Sequence, residues 1–151
     1  MSPSNAIHVR AAQASDFDAW LPLWQGYQAF YKVDLSGATT DTTWQRLLDP
    51  AEPMHVALAE LDGKVVGLVH FIEHRTCWAQ RNSLYLQDLF AAPEVRGRGV
   101  GRALIEHVYA QAQAMGIGRV WWLTHESNTE AMQLYDRIAD KPGFVQYRRN
   151  F

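Results

Sequence analysis

Arg96-Gly97-Arg98-Gly99-Val100-Gly101 constrains this chain more than any other stretch. Residues 83–90 ahead of it read as a strand, and Pro93-Glu94 opens the turn. Residues 103–115 behind it read as a helix with Leu104, Val108 and Ala112 on one face. Alternating glycines let successive backbone N–H groups point into one concavity. The unpaired N–H groups and dipole of the following helix add positive potential, and Arg96, Arg98 and Arg102 add charge. A diphosphate is the natural guest. There is no Gly-Lys-Ser/Thr, so this is not a Walker loop. The spacing Gly-x-Gly-x-Gly also departs from the dinucleotide fingerprint. The competing reading is a flexible turn with solvated arginines.

The remaining chain supplies strands and helices around this loop. Residues 7–10 alternate as a strand. Ala14-Ser15-Asp16 offers helix caps, and Trp20, Leu23, Trp24, Tyr27 and Tyr31 then recur at helical spacing. Residues 35–40 read as a polar break, after which Asp41 or Thr42 caps a helix through Trp44, Leu47 and Leu48. Residues 55–60 and 65–73 read as a hairpin around Asp62-Gly63. Residues 120–124 read as a buried strand. Asn128 or Thr129 starts a last helix through Tyr135 and Ile138, and residues 144–148 read as a final strand. The order β-α-α-β-β-β-α-β-α-β predicts a single α/β domain over 1–151, with a mixed, mostly antiparallel central sheet flanked by helices.

Composition excludes several classes. At 151 residues, 48% hydrophobic and 20% charged, the chain should fold without staples. A net charge of −2 gives no drive toward nucleic acid or an anionic membrane. Cys77 is the only cysteine, so no intrachain disulfide forms. Residues 1–9 lack the apolar run of a signal peptide, and no stretch is long and apolar enough to span a membrane. The expectation is a cytoplasmic protein. His70 and His74 share a strand face but lie ~13 Å apart, too far to hold one metal ion.

Arg96-x-x-Gly99-x-Gly101 resembles the Arg/Gln-x-x-Gly-x-Gly/Ala signature of the GCN5-related N-acetyltransferase (GNAT) superfamily. Tyr85-Leu86-Gln87-Asp88-Leu89-Phe90-Ala91 looks like that family's fourth strand. Asn128 and Tyr135, seven residues apart, resemble the Asn…Tyr pair after its fifth. The resemblance covers essentially the whole chain. It is nearest to the branch of yeast histone and polyamine acetyltransferases.

The resemblance implies an acetyl-CoA-dependent acyltransferase without a metal. Strands four and five would splay around the pantetheine arm. Leu89, Phe90 and Ala91 would offer backbone groups to the pantetheine and thioester carbonyl, and an N–H there would stabilise the oxyanion. Gly97, Arg98, Gly99, Val100, Gly101 and Arg102, with Arg96, would hold the pyrophosphate, and Asn128 the pantetheine. Tyr135 would protonate the departing thiolate, its alternative being a core aromatic. Asp88 and Glu126 are candidate bases for the acceptor amine, with His125 third. Asp88 is alternatively a structural hydrogen-bond acceptor, and His125-Glu126 a lead into the next helix. Related diamine acetyltransferases carry Glu where this chain has Gln87, which argues against a polyamine acceptor. Cys77 has no motif around it and reads as an ordinary small residue.

Trp20, Trp24, Tyr27, Phe30, Tyr31 and Trp44 either line an acceptor pocket or pack the core, and packing is favoured for Trp20, Leu23 and Trp24 together. The expected acceptor is a small primary amine or amino acid. A protein lysine is the alternative, and an acyl-CoA sensor is the non-enzymatic one. Members of this branch tend to be dimers, sometimes through C-terminal strands, and residues 146–151 carry side chains able to pair.

Overall fold

The computed structural model describes residues 6–151, so part of the stretch read as lacking a signal peptide lies outside the described residues. Strand β1 (His8–Ala11) precedes helix α1 (Phe17–Phe30) and helix α2 (Gly37–Leu48). Strands β2 (Met54–Leu61), β3 (Lys64–His74) and β4 (Ser83–Ala91) follow. The glycine-rich loop then leads into helix α3 (Val100–Met115), strand β5 (Arg119–Trp121) and helix α4 (Thr129–Ile138). The five strands lie in chain order, with β1 to β4 antiparallel and β4–β5 parallel. That is the mixed, mostly antiparallel sheet expected.

Helices α1 and α2 cover one face and α3 the other. On the first face, Phe17, Trp20, Trp24 and Trp44 form one aromatic cluster, with the Trp20 and Trp44 centroids 4.7 Å apart. On the second, Leu104, Ile105 and Val108 are fully buried. Contact is close on both. A Cβ at Gly26 would lie 2.9 Å from the Phe90 ring, and one at Gly67 would lie 2.8 Å from Val100 Cγ1. Arg10 ties the first strand down through Asp16 at 2.8 Å and Glu60 at 2.9 Å.

Three local expectations change. Helix α2 starts at Gly37 because Ser36 Oγ accepts the Thr39 N–H at 3.1 Å. The supposed polar break is therefore its first turn, and neither Asp41 nor Thr42 is the cap. Strand β5 ends at Trp121 instead of residue 124, because its ladder with β4 stops at Tyr85↔Trp121. The last strand does not form. Residues 140–151 carry no strand, and pairing with a neighbour, which defines one, is missing there. The Asp62-Gly63 hairpin turn does form, with φ of 53° and 77°.

One irregularity matters for the site. His70 opposes Asp88, but Phe71 opposes Leu86, so Gln87 is an extra residue in β4. The extra residue changes which side Asp88 faces. Tyr85 opposes Ile72 and Asp88 opposes His70, which puts Asp88 on the α1 face with Tyr85. In a regular strand, residues three apart point to opposite faces.

Candidate active site

The glycine-rich loop has the geometry of an anion cradle. Gly97 and Gly99 sit at φ of 79° and 85°, a region costly for side-chain-bearing residues. A Cβ at either would meet nothing within 4 Å, so the backbone conformation, and not crowding, requires glycine there. Gly99 precedes α3, and its carbonyl accepts the Ala103 N–H at 3.0 Å. The N–H groups of Val100, Gly101 and Arg102 have no carbonyl one turn back and face outward at the dipole's positive end. Val100 is buried and anchors the turn. Arg96 lies over the Phe30 ring at 6.0 Å, and Arg102 pairs with Glu106 at 3.0 Å, while Arg98 is exposed. A diphosphate fits these residues on chemistry and on open space.

A slot adjoins this cradle. Because the parallel ladder stops at Tyr85↔Trp121, residues 86–91 have no strand beside them on the β5 side. Leu89, Phe90 and Ala91 remain held from the other side by Val69, Leu68 and Gly67 of β3. After β5, Asn128 Nδ2–H donates to Thr124 Oγ1 at 3.1 Å, and the Asn128 side chain makes no capping bond to α4.

Asp88 is the buried carboxylate of the first face. His70 Nδ1–H donates to its Oδ2 at 2.9 Å, and the Trp20 indole N–H donates to His70 Nε2 at 3.0 Å. Tyr27 lies within its electrostatic reach, and burial together with the Asp88 charge pushes the Tyr27 phenol well above its ordinary range. Burial and Asp88 likewise raise Tyr31 and Tyr85. Each phenol thus stays protonated around one carboxylate. A cavity of about 210 Å³ opens here, lined by Trp24, Leu35, Thr43, Gln87 and Asp88 among others. Among the described residues the Trp24 indole N–H has no hydrogen-bond partner; its ring meets that of His70 edge-on at 5.0 Å.

Tyr135 comes to the same neighbourhood from α4. Its ring packs on Trp122 at 5.4 Å. Burial raises its pKa, and the nearby Tyr31 adds to the rise. The Tyr31 phenol is thus within electrostatic reach of both Asp88 and Tyr135. Glu126 is not brought into this group: it is exposed in the β5–α4 turn. His125 is exposed too, its Nδ1 bonded to Ser127 Oγ within that turn at 2.6 Å. Cys77 is exposed in the β3–β4 connection. His74 accepts from the Trp121 indole N–H at 2.8 Å, a contact between strands. Among the described residues no cluster of three or more His, Cys, Asp or Glu could hold a metal, and no helix is long and apolar enough to cross a membrane.

The sequence reading left out His70 as a partner of Asp88. Only register could have found it, and the Gln87 bulge shifts that register by one. The Trp20 N–H was likewise hidden inside a residue read as packing.

Residues 19–139 match the Acetyltransferase (GNAT) family. A D-amino-acid N-acetyltransferase of Saccharomyces cerevisiae is 36% identical over 149 residues, covering 97% of this chain and 92% of the yeast protein. An L-ornithine N5-acetyltransferase of Arabidopsis thaliana is 30% identical over 139 residues, covering 92% of this chain and 54% of the plant one. An aminoglycoside N-acetyltransferase solved with CoA superposes with a TM-score of 0.84 at 16% identity, covering 99% of this chain and 98% of that one, which shows a shared fold. With cradle, slot and matching residues in one chain, this protein belongs to the GNAT family and is an acyltransferase that takes its acetyl group from acetyl-CoA.

Proposed function

We propose that the whole chain acts as one domain that acetylates the primary amine of a small molecule or amino acid. The observation that carries this reading is Asp88, a buried carboxylate with the Tyr27, Tyr31 and Tyr85 phenols within its electrostatic reach, beside a cavity of about 210 Å³. Such a site suits one amine with an apolar stem. The names of the yeast and plant relatives, one for D-amino acids and one for L-ornithine, point the same way. Gln87 also lines the cavity and is neutral, which favours a single amine over a polyamine.

The acetyl-CoA pyrophosphate rests on residues 96–102, and the pantetheine runs through the slot past Asn128. The backbone of Leu89, Phe90 and Ala91 meets the thioester. The lone pair of the neutral amine attacks the thioester carbon, and the nitrogen passes the proton it sheds to Asp88. An N–H of β4 stabilises the oxyanion, the C–S bond breaks, and the Tyr135 hydroxyl protonates the thiolate. The raised Tyr135 pKa keeps that proton in place until the thiolate forms. Glu126, exposed and outside the group around Asp88, is the weaker base candidate.

A thiol-release assay with acetyl-CoA against D- and L-amino acids, ornithine, polyamines and histone peptides tests the reading. Turnover is expected with amino acids or simple amines. Activity confined to histone peptides would replace it with protein acetylation. Tyr135→Phe is expected to lower kcat about 10–100-fold with the best acceptor while acetyl-CoA binding by calorimetry stays unchanged. Full turnover in that variant would remove Tyr135 from the mechanism.

We also propose that the protein works in the cytoplasm as a homodimer. Phe144, Val145, Tyr147 and Phe151 are 81%, 77%, 93% and 109% exposed, an apolar run that a second copy would cover. Light scattering of the full chain should give a dimer, and deletion of residues 144–151 a monomer. A monomeric full chain would overturn the pairing.

A further inference from the structure

Two buried polar groups take no direct part in the transfer proposed above. The His70 ring is 2% exposed and the Trp20 side chain 0%. An indole N–H can only donate, so His70 Nε2, which receives it at 3.0 Å, is the unprotonated ring nitrogen. The neutral ring then carries its hydrogen on Nδ1, which donates to Asp88 Oδ2 at 2.9 Å. A chain of donors thus runs from α1 through β3 to β4 and ends on the carboxylate.

The chain is held rigidly at its start. Trp20 packs against Phe17, Trp24 and Trp44, with centroids 5.9, 6.1 and 4.7 Å away. Turning the imidazole over would lose both of its hydrogen bonds in a buried setting, which is costly. The ring therefore offers Asp88 a donor on one oxygen and offers the amine no basic nitrogen, because Trp20 occupies it.

We propose that His70, locked as its Nδ1–H tautomer by Trp20, is a positioning residue that holds the Asp88 carboxylate toward the acceptor amine. The inference rests on the reading of Asp88 as the proton acceptor. It assigns Trp20 a polar role besides packing, and it excludes His70 itself as the base.

The test compares His70→Asn, His70→Gln and Trp20→Phe with Asp88→Asn as reference. An Asn amide N–H stands near the place of Nδ1 and keeps a donor for Asp88, whereas a Gln amide stands nearer Nε2. His70→Asn should retain most of kcat. His70→Gln should lose about 10–100-fold in kcat, the size of one charge-assisted hydrogen bond, with the KM for acetyl-CoA unchanged. Nitrogen NMR of the imidazole should report only the Nδ1–H tautomer in the wild type and a mixture in Trp20→Phe, which keeps a ring but loses the donor. If His70→Gln fails to fold, the NMR comparison decides. Wild-type kcat in folded His70→Gln beside an inactive Asp88→Asn would overturn the positioning role alone, as would a protonated Nε2 in the wild type. Full activity in Asp88→Asn would overturn the reading of Asp88, and this inference with it.

Discussion

Replacing Asp88 by Asn is expected to lower kcat/KM for the amine about 10²–10⁴-fold, the range of a lost general base. The substitution is nearly isosteric. The Asn carbonyl can still accept the His70 Nδ1–H that now reaches Oδ2 at 2.9 Å, so the buried network has a partner to keep. What the amide cannot do is take a proton from the amine. Acetyl-CoA affinity should change little, because the proposed diphosphate cradle lies beyond Ala91 and the thioester meets backbone groups of β4, neither of which uses the Asp88 side chain. The measurement is steady-state kinetics with the best acceptor from the screen, beside calorimetry with acetyl-CoA. Unchanged kcat/KM would return Asp88 to a structural acceptor and move the search for the base to the exposed turn holding Glu126.

Replacing Gly99 by Glu is expected to weaken acetyl-CoA binding about 100-fold, roughly 2.7 kcal/mol. Two effects combine. At φ of 85°, any residue with a Cβ is strained by ~1–2 kcal/mol. The added carboxylate also stands at the N-terminus of α3, where it competes with the diphosphate for the same N–H groups. Gly99→Ala separates the two, since it brings the strain without the charge and meets nothing within 4 Å. Its loss should be clearly smaller. Calorimetric titration of both variants measures this, and equal affinity of wild type and Gly99→Glu would mean that the diphosphate binds elsewhere.

The cradle was legible in the sequence because it is local. Glycines at 97 and 99, a strand before and a helix after lie within one short stretch, and positive φ follows from the residue type. The Asp62-Gly63 hairpin was legible for the same reason. Helix periodicity placed α1 and α3 on a core and marked Leu104 and Val108 as inward. Asn128 and Tyr135 were singled out by the family resemblance, at a separation that falls on α4 and its N-cap.

The errors arose where an element depends on what stands beside it. Residues 144–148 alternate well enough for a strand, yet no neighbour among the described residues pairs with them. The first turn of α2 looked like a break because Gly37 and the threonines are poor helix formers. The Ser36 cap overrides that preference.

By itself, then, the order of residues determined the glycine-rich turn ahead of α3, most of the succession of strands and helices, and the family resemblance, all of which rest on local spacing. Only the tertiary structure gave the two candidate bases different surroundings. Asp88 and Glu126 are equivalent as letters, but the Gln87 bulge turns Asp88 toward α1 and buries it against His70 and Tyr27, while Glu126 stays in water. Burial and strand register join residues far apart in the chain. Trp20, His70 and Asp88 meet only after α1 has packed on the sheet.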